Sequence, residues 1–315
     1  MDVLSDAIAA MRTGQPHASR HRRAGAWGIR FPAGDGIGFH LVLDGEVWLH
    51  PPGGRAPERL GPGELVLVTK GHSYALSDAP DTPLRPAVLN ADGRLRPQPP
   101  QAAPDVAAST TLCGAYLRNR TRPHPVLDEL PDHLRLSLAD GRHPQLRAVT
   151  DLLAEELTEY RPGADALRPA LLDALLLHVL RAWYAEQQDS GGWALALRDP
   201  GVSTALRAIH EDPAHPWTVE ELGTLAGLSR AAFARRFTTL VGRPPLGYLT
   251  WWRMTLAGRL LRDTDAPLRT VAERTGYLSE FAFAKAFKRE YDVSPGRYRA
   301  AGTPAPTDVV AGVGG

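Results

Sequence analysis

The chain has 315 residues, which is long enough for two domains that each bury a core of their own. Hydrophobic residues make up 43% and charged residues 23%, as expected for a soluble globular protein. The single cysteine, Cys113, excludes an intramolecular disulfide and favours a reducing, cytoplasmic location. The acidic, amphipathic start is unlike a signal peptide, and the longest apolar run, residues 170–179, is too short to cross a membrane.

The net charge of +1 is unevenly distributed along the chain. Residues 201–300 contain 15 Lys and Arg against 10 Asp and Glu, a net charge of +5, which leaves −4 for the remainder. A basic C-terminal segment beside a mildly acidic body suggests that this end of the molecule meets a polyanion. The charge alone is weak evidence, because ordinary domains often carry as much.

The N-terminal part of the chain combines helix and strand patterns. Residues 1–15 predict a short amphipathic helix. Alternating apolar runs broken by Gly and Pro between residues 25 and 77 predict an antiparallel barrel or sandwich. Residues 79–108 are expected to form a loop, and the run STTLCGAYLR that follows is expected to close the sheet. Leucine spacing then predicts two helices, over residues 144–160 and 166–187.

A polar, glycine-rich segment, QDSGGW, separates these helices from the C-terminal part. It places a domain boundary near residue 190, with domains over residues 1–190 and 191–300. The last residues, 301–315, are low in complexity and are expected to be disordered.

The C-terminal domain contains a helix-turn-helix pattern. Thr218 and Glu221 are spaced as a capping box at the start of a helix. Gly227 ends that helix, because glycine enters the left-handed region at little cost. Ser229 then caps a second helix, which turns Phe233 and the phenylalanine four residues later inward.

The same pattern recurs about 50 residues later. The capping serine and the two inward phenylalanines return as Ser279, Phe283 and Phe287 at a spacing of 50. The turn glycine returns as Gly276 at a spacing of 49, so the second turn is one residue longer. A helix that starts near Pro245 separates the two units and would hold them at a fixed distance. Fixed spacing suits two reading heads in successive major grooves, about 34 Å apart.

The segment GYLSEFAFAKAFKREYDVSPGRYR, residues 276–299, resembles the signature of the AraC/XylS family of regulators. The resemblance covers about 100 residues. It implies a sequence-specific transcription regulator that binds double-stranded promoter or operator DNA and forms a homodimer. RNA polymerase is an implied partner if the regulator activates transcription, and no membrane partner is implied. In this family the first recognition helix makes most of the base contacts.

Because the phenylalanines face inward, the opposite helix faces are the predicted DNA-reading surface. Arg235 is the best candidate for reading guanine, since its planar fork can pair with O6 and N7 and give roughly 1–3 kcal/mol of discrimination. Three further arginines are expected to contact phosphates, which position a protein without reading sequence. The DNA-binding candidates are Arg230, Ala231, Ala234 and Arg235 in the first unit, Glu280, Phe281, Ala284, Lys285 and Lys288 in the second, and Arg289, Arg297 and Arg299 for phosphates.

The strand-rich segment resembles the cupin-like sensing domain found in many of these regulators. The resemblance rests on the runs FHLVLDGEVW and LGPGELVLV and on the Gly71-His72 pair. The expected fold class is therefore α+β: an N-terminal cupin-like β-barrel with flanking helices and a C-terminal all-α double helix-turn-helix domain. His40, His72, Tyr74 and Cys113 are the candidate residues for a small-molecule effector or a metal, although the usual cupin histidine pair is incomplete.

Three alternatives remain open at this point. A cupin-type metal-dependent enzyme fused to a DNA-binding domain would need His40 to hold a metal. A redox switch through Cys113 would need an intermolecular disulfide, a sulfenic acid or a metal. An architectural protein would bind DNA through phosphates alone, without sequence choice.

Overall fold

The computed structural model divides the chain into two compact units, residues 7–190 and residues 1–6 with 191–315. We call the first the sheet unit and the second the helical unit. The predicted disordered tail from residue 303 onward and most of the second half of the predicted loop over residues 79–108 lie outside the described residues. The structure describes residues 3–11, 16–34, 36–88, 90, 96, 108–117, 124–159, 161–187 and 192–302.

Two five-stranded sheets form the β-structure of the sheet unit over the described ranges. Their strand orders are β1-β9-β3-β6-β10 and β5-β4-β7-β2-β8. The predicted α+β fold class is confirmed. The strands are β1 (His17–Ala24), β2 (Gly28–Phe31), β3 (Gly36–Asp44), β4 (Val47–His50), β5 (Glu58–Leu60), β6 (Glu64–Val68), β7 (Tyr74–Ser77), β8 (Arg85–Pro86), β9 (Ala108–Leu117) and β10 (His133–Ser137).

Strand β9 is not the closing strand that the sequence predicts, because it lies between β1 and β3. It pairs antiparallel with β1 from His17 opposite Ala115 to Ala24 opposite Ala108. The sequence of β1, HASRHRRA, has no apolar alternation, so strand periodicity does not reveal it. Charged side chains are common on edge strands, where they oppose pairing with another chain.

The core of the sheet unit fills the space between the two sheets. One apolar cluster combines Val42 and Val66 of the first sheet with Ile29, Leu49 and Leu76 of the second, all buried. Each such side chain contributes roughly 1.5–3 kcal/mol when it is removed from water. This packing fixes the faces of β3 and β7 that carry the candidate effector residues.

Four helices precede or accompany the sheets over the described residues: α1 (Val3–Met11), α2 (Pro125–Asp128), α3 (Pro144–Glu156) and α4 (Ala164–Glu186). The predicted N-terminal helix and the two predicted leucine-rich helices are confirmed. Tyr116 of β9 donates a hydrogen bond of 2.6 Å to the Leu172 carbonyl, which anchors α4 on the first sheet. No helix of the described chain is long and apolar enough to span a bilayer.

Helices form the whole regular structure of the helical unit over residues 192–302. The two predicted helix-turn-helix units are α7–α8 and α10–α11, with the long α9 between them. The helices are α5 (Trp193–Ala196), α6 (Pro200–Glu211), α7 (Val219–Leu225), α8 (Arg230–Val241), α9 (Pro245–Asp263), α10 (Leu268–Arg274), α11 (Glu280–Tyr291) and α12 (Pro295–Gly302).

The inward phenylalanines form the core of each helix-turn-helix unit, as predicted. Phe233 and Phe237 of α8 and Phe283 and Phe287 of α11 are all fully buried. Their rings lie 5.4 Å and 5.7 Å apart within each pair, a normal aromatic separation. The opposite faces of α8 and α11 are left for solvent or a ligand.

Candidate functional site

The first recognition helix, α8, is positioned by the local signals that the sequence predicts. The capping box is present: the Glu221 amide donates to the Thr218 hydroxyl, and the Thr218 amide donates to the Glu221 carboxylate. Gly227 adopts φ +68°, and Ser229 accepts a hydrogen bond from the Ala232 amide at the start of α8. These contacts fix where α8 begins and which face it exposes.

The second recognition helix, α11, follows a turn of the same kind with one residue more. In the first turn the Leu228 amide donates to the Gly223 carbonyl, and in the second the Tyr277 amide donates to the Ala272 carbonyl. Leu228 and Tyr277 therefore hold equivalent positions after their turn glycines. The capping serine follows Leu228 directly, whereas Leu278 comes between Tyr277 and Ser279. The predicted extra residue is Leu278, and its side chain is fully exposed.

The predicted DNA-reading residues lie on the solvent faces of α8 and α11. Arg230, Ala231 and Arg235 are exposed, and Ala234 is half-buried. In the second unit Ala284 is half-buried. The other predicted residues of α11 are exposed: Glu280, Phe281, Lys285, Lys288 and Arg289. The two faces match in position, since each residue of the first has a counterpart 50 residues later.

Two neighbouring arginines of α8 have different roles. The Arg236 guanidinium donates to the carboxylate of Asp199, with Nε 2.5 Å from Oδ2. Asp199 also caps α6 by accepting from the Val202 amide at 2.8 Å. Arg236 therefore joins α8 to α6, a role that the sequence did not suggest. Among the described residues, no hydrogen bond or ion pair holds the Arg235 side chain, which leaves its fork available to a ligand.

The three arginines predicted to contact phosphates differ in availability. Arg297 is exposed, and only its backbone amide contacts Ser294. Arg289 is exposed, with its Nε 3.6 Å from the Glu290 carboxylate. Arg299 is half-buried, and its guanidinium donates to the Ala266 carbonyl at 2.5 Å. Arg299 therefore contributes to the packing of α12, and its guanidinium is less available to a phosphate than those of Arg289 and Arg297.

Arg253 of α9 is a residue of the helical unit that the sequence did not single out. Its Nε donates to the Pro213 carbonyl at 2.7 Å, and its Nη2 donates to the His215 carbonyl at 2.9 Å. Burial lowers the pKa of Arg253 below its usual value. The contact ties α9 to the loop before the first helix-turn-helix unit, so Arg253 helps to set the position of α9.

A buried hydrogen-bonded chain also supports α9. The His210 Nδ1 lies 2.9 Å from the Asp6 carboxylate, and the His210 Nε2 lies 2.7 Å from the Tyr248 hydroxyl. The His210 ring stacks on Trp252 at 4.0 Å. Asp6 is separated from His210 by 204 positions, so no local pattern could predict this contact.

Three of the four candidate effector residues lie in the interior of the sheet unit. His40 of β3 and Tyr74 of β7 are buried, and the His40 Nε2 lies 2.7 Å from the Tyr74 hydroxyl. Phe31 stacks on Tyr74 with ring centres 4.8 Å apart. Gly38 makes room for this hydroxyl, because a Cβ there would lie 2.6 Å from it. Cys113 of β9 lies directly opposite His40 in the strand register.

Burial determines the charge state of this cluster. It lowers the pKa of His40 to about 3, with a further contribution from the Arg23 charge. It raises the pKa of the Cys113 thiol, and the neighbouring Arg23 offsets only part of the increase. His40 is thus neutral and Cys113 protonated near pH 7. A protonated, buried thiol is a poor nucleophile, which argues against Cys113 as a fast redox sensor.

His72 does not join the cluster. It is exposed on the turn before β7, and its Nδ1 lies 3.6 Å from the Asp132 carboxylate. The described part of the chain contains no group of three or more His, Cys, Asp or Glu residues arranged to hold a metal ion. His40 Nδ1 is buried and has no hydrogen-bond partner among the described residues. The cluster therefore contains one buried polar atom that no described residue satisfies.

Comparison with known proteins covers both units. Residues 2–185 match the family model described as Cupin, and residues 222–301 match the one described as Helix-turn-helix domain. An AraC-like transcription regulator of Streptomyces lividans is 35% identical over 304 residues, covering 95% of this chain and 98% of that protein. One of Streptomyces antibioticus is 32% identical over 302 residues, with the same two coverages. The crystal structure of the DNA-binding domain of AdpA with a target DNA is 37% identical, covering 33% of this chain and 92% of that chain, with a TM-score of 0.31.

Proposed function

This chain belongs to the family of AraC-like transcription regulators, and from this premise we propose that Arg235 of α8 reads a guanine in its operator. The chain is a DNA-binding transcription regulator with a cupin-like N-terminal domain. The difference between Arg235 and Arg236 carries the proposal. Arg236 is held by Asp199, whereas the exposed fork of Arg235 is free to pair with O6 and N7 of guanine.

The remaining exposed side chains of the two faces support this interface. Ala231 and Ala234 leave space around Arg235 for the edges of bases. Lys285 occupies the position of Arg235 in the second unit, where a point charge suits a phosphate or a base edge. Lys288, Arg289 and Arg297 add positive charge that would position the protein on the phosphate backbone.

The test is a selection of binding sites from random DNA with the full chain, followed by affinity measurements on every single-base substitution. The Arg235→Ala variant is expected to lose about tenfold or more at one guanine, in line with roughly 1–3 kcal/mol for a bidentate pair. The Lys288→Ala control is expected to weaken all sequences equally and to reduce the salt slope by about 1. Equal weakening of every sequence by Arg235→Ala would contradict base reading.

We also propose that the sheet unit senses a small neutral molecule that hydrogen-bonds to His40. The observation in favour is the buried Nδ1 of His40, a polar atom that lacks a partner among the described residues. The stacked rings of Phe31 and Tyr74 would cover an apolar part of such a molecule. The test is operator affinity across a metabolite panel, with the full chain and with His40→Phe. An effector that changes the operator affinity of both proteins equally would exclude His40 as its binding residue. The redox alternative is tested by measuring the operator affinity of Cys113→Ser in the presence of an oxidant.

The regulator is further proposed to act in the cytoplasm as a homodimer that associates through α3 and α4. Leu152 and Leu167 support this, because each exposes about half of its side chain on these helices. Sedimentation is expected to give a dimer mass for the natural chain and a monomer mass for Leu152→Glu. The matched control is Leu195→Glu in the helical unit, where a dimer should persist.

RNA polymerase is a further proposed partner if the regulator activates transcription, which a reconstituted transcription assay would measure.

A further inference from the structure

The second helix-turn-helix unit presents two large apolar side chains to solvent. Leu278 is 105% exposed and Phe281 is 80% exposed, whereas the next most exposed large apolar residue of the described chain, Leu152, reaches 53%. Apolar side chains of this size gain free energy when water is removed from them. Their exposure in the isolated chain indicates a surface that becomes covered when the protein binds its partner.

The positions of both residues follow from the turn that precedes α11. The hydrogen bond from the Tyr277 amide to Ala272 completes the turn, and Leu278 is the extra residue before the capping Ser279. Phe281 is the second residue of α11, 50 positions after Ala231 of α8. The N-terminal residues of a recognition helix are the ones that meet base edges in the major groove.

The charges on the same helix face indicate which partner covers these side chains. Lys285 and Lys288 lie four and seven positions after Phe281, so they share its face, and both are exposed. Glu280 is the one acidic side chain next to Phe281 on the exposed part of α11. An apolar pair bordered by lysines suits a polyanion with an apolar feature more than it suits an apolar protein surface.

The major groove contains one apolar feature, the C5-methyl group of thymine. A phenylalanine ring can neither donate nor accept a hydrogen bond, so it cannot read the polar edges of the bases. We propose that Phe281, with Leu278 three residues before it, reads thymine methyl groups in the second half-site. This inference rests on the proposed DNA-reading function of the two helix faces. It assigns apolar readout to the second unit and leaves guanine readout to Arg235 in the first.

Replacement of thymine by deoxyuridine is the sharpest test, because it removes the methyl group and leaves every base-pair hydrogen bond in place. Each thymine of the selected operator is replaced in turn, and affinity is measured with the full chain. We expect a loss of about fourfold at one or two thymines, as for the loss of one buried methyl group. These thymines should lie about one helical turn from the guanine that Arg235 reads.

The Phe281→Ala variant completes the test. It should bind the natural operator more weakly and should no longer distinguish thymine from deoxyuridine at those positions. The matched control is Lys285→Ala, which should bind the operator more weakly but still distinguish thymine from deoxyuridine at those positions. Phe281 is exposed, so the variant is expected to fold, and its unfolding midpoint in urea checks this.

Three outcomes would overturn the proposal. The first is that Phe281→Ala keeps the full sensitivity to deoxyuridine. The second is that it weakens all sequences equally, which would indicate contact with the sugar-phosphate backbone. The third is normal DNA binding with impaired transcription, which would indicate a protein-docking surface. None of these outcomes depends on Arg235, whose guanine readout is measured at a different base pair.

Discussion

The two helix-turn-helix units share their buried sides and differ on their exposed sides. Phe233 and Phe237 have buried counterparts 50 residues later, and a capping serine precedes each recognition helix. On the exposed faces, Arg230 corresponds to Glu280 and Ala231 to Phe281. The first face carries two arginines beside small alanines, whereas the second carries a phenylalanine, a glutamate and lysines.

This difference separates what folding requires from what recognition requires. The turn glycine, the serine cap and the inward rings are needed to build either unit, so both units keep them. The exposed residues contribute little to stability, and they are free to vary with the DNA that each unit meets. A repeat of the fold therefore does not imply a repeat of the base contacts.

The largest expected effect tests whether the cores are equivalent. Phe233→Ala and Phe283→Ala each remove a fully buried ring, and each is expected to lower the free energy of unfolding by about 3–5 kcal/mol. Urea denaturation followed by circular dichroism measures both. If one variant lost less than about 1 kcal/mol, the two units would differ in packing as well as in surface.

The sequence predicts those features of both units that depend on near neighbours. Thr218 and Glu221 are three residues apart, and the turn glycines are next to the helices they end, so a short window contains all the information. The extra residue in the second turn is visible from the spacing alone. Its consequence, an exposed Leu278, requires the backbone hydrogen bonds that fix Tyr277 in place.

Contacts between distant parts of the chain could not be predicted in the same way. Asp6 meets His210 across 204 positions, and Asp199 meets Arg236 across 37. For each pair, the local sequence around one residue does not indicate which distant residue it contacts. The effector candidates illustrate the same limit: the pairing of His40 with Tyr74 depends on how two sheets pack.

The next largest expected effect compares the turn glycines of the two units. Both adopt positive φ, +68° at Gly227 and +74° at Gly276, which costs an alanine about 1–2 kcal/mol. A Cβ at Gly227 meets nothing within 4 Å, whereas one at Gly276 would lie 2.8 Å from the Ala214 carbonyl. Gly276→Ala is therefore expected to cost about 1–3 kcal/mol more than Gly227→Ala, the usual range for overpacking. Equal unfolding midpoints for the two variants would contradict the tighter second turn.

The Asp199–Arg236 pair exists only in the first unit, because Ala286 holds the position of Arg236 in the second. Burial acts to raise the pKa of Asp199, but the hydrogen bonds from Val202 and Arg236 outweigh it, and the pKa is lowered. A lowered pKa stabilises the fold above the ordinary aspartate pKa of about 3.9, and this stability is lost as the pH falls through the folded value.

Asp199→Asn keeps an oxygen to cap α6 but removes the charge that holds Arg236, so it should cost about 1 kcal/mol or less at pH 7, the usual range for a partly exposed ion pair. The gap from the natural chain should narrow as the pH falls below the ordinary aspartate pKa of about 3.9 and through the lowered folded value, and urea unfolding over a series of acidic pH values measures it. The control is Asp292→Asn at the exposed end of α11, where asparagine tolerates the φ of +61°. A gap that does not change with pH over the whole acidic series would show that the Asp199 charge is not responsible.

The smallest effect concerns the residue that makes the second turn different. Leu228 is half-buried where it completes the first turn, so Leu228→Gln is expected to lower the free energy of unfolding by about 1 kcal/mol. Leu278 is fully exposed, so Leu278→Gln should change it by less than about 0.5 kcal/mol. Urea titrations of both variants measure the difference. A decrease of more than about 1 kcal/mol in the free energy of unfolding of Leu278→Gln would mean that this leucine supports the fold. Phe281 alone would then remain to read thymine methyl groups.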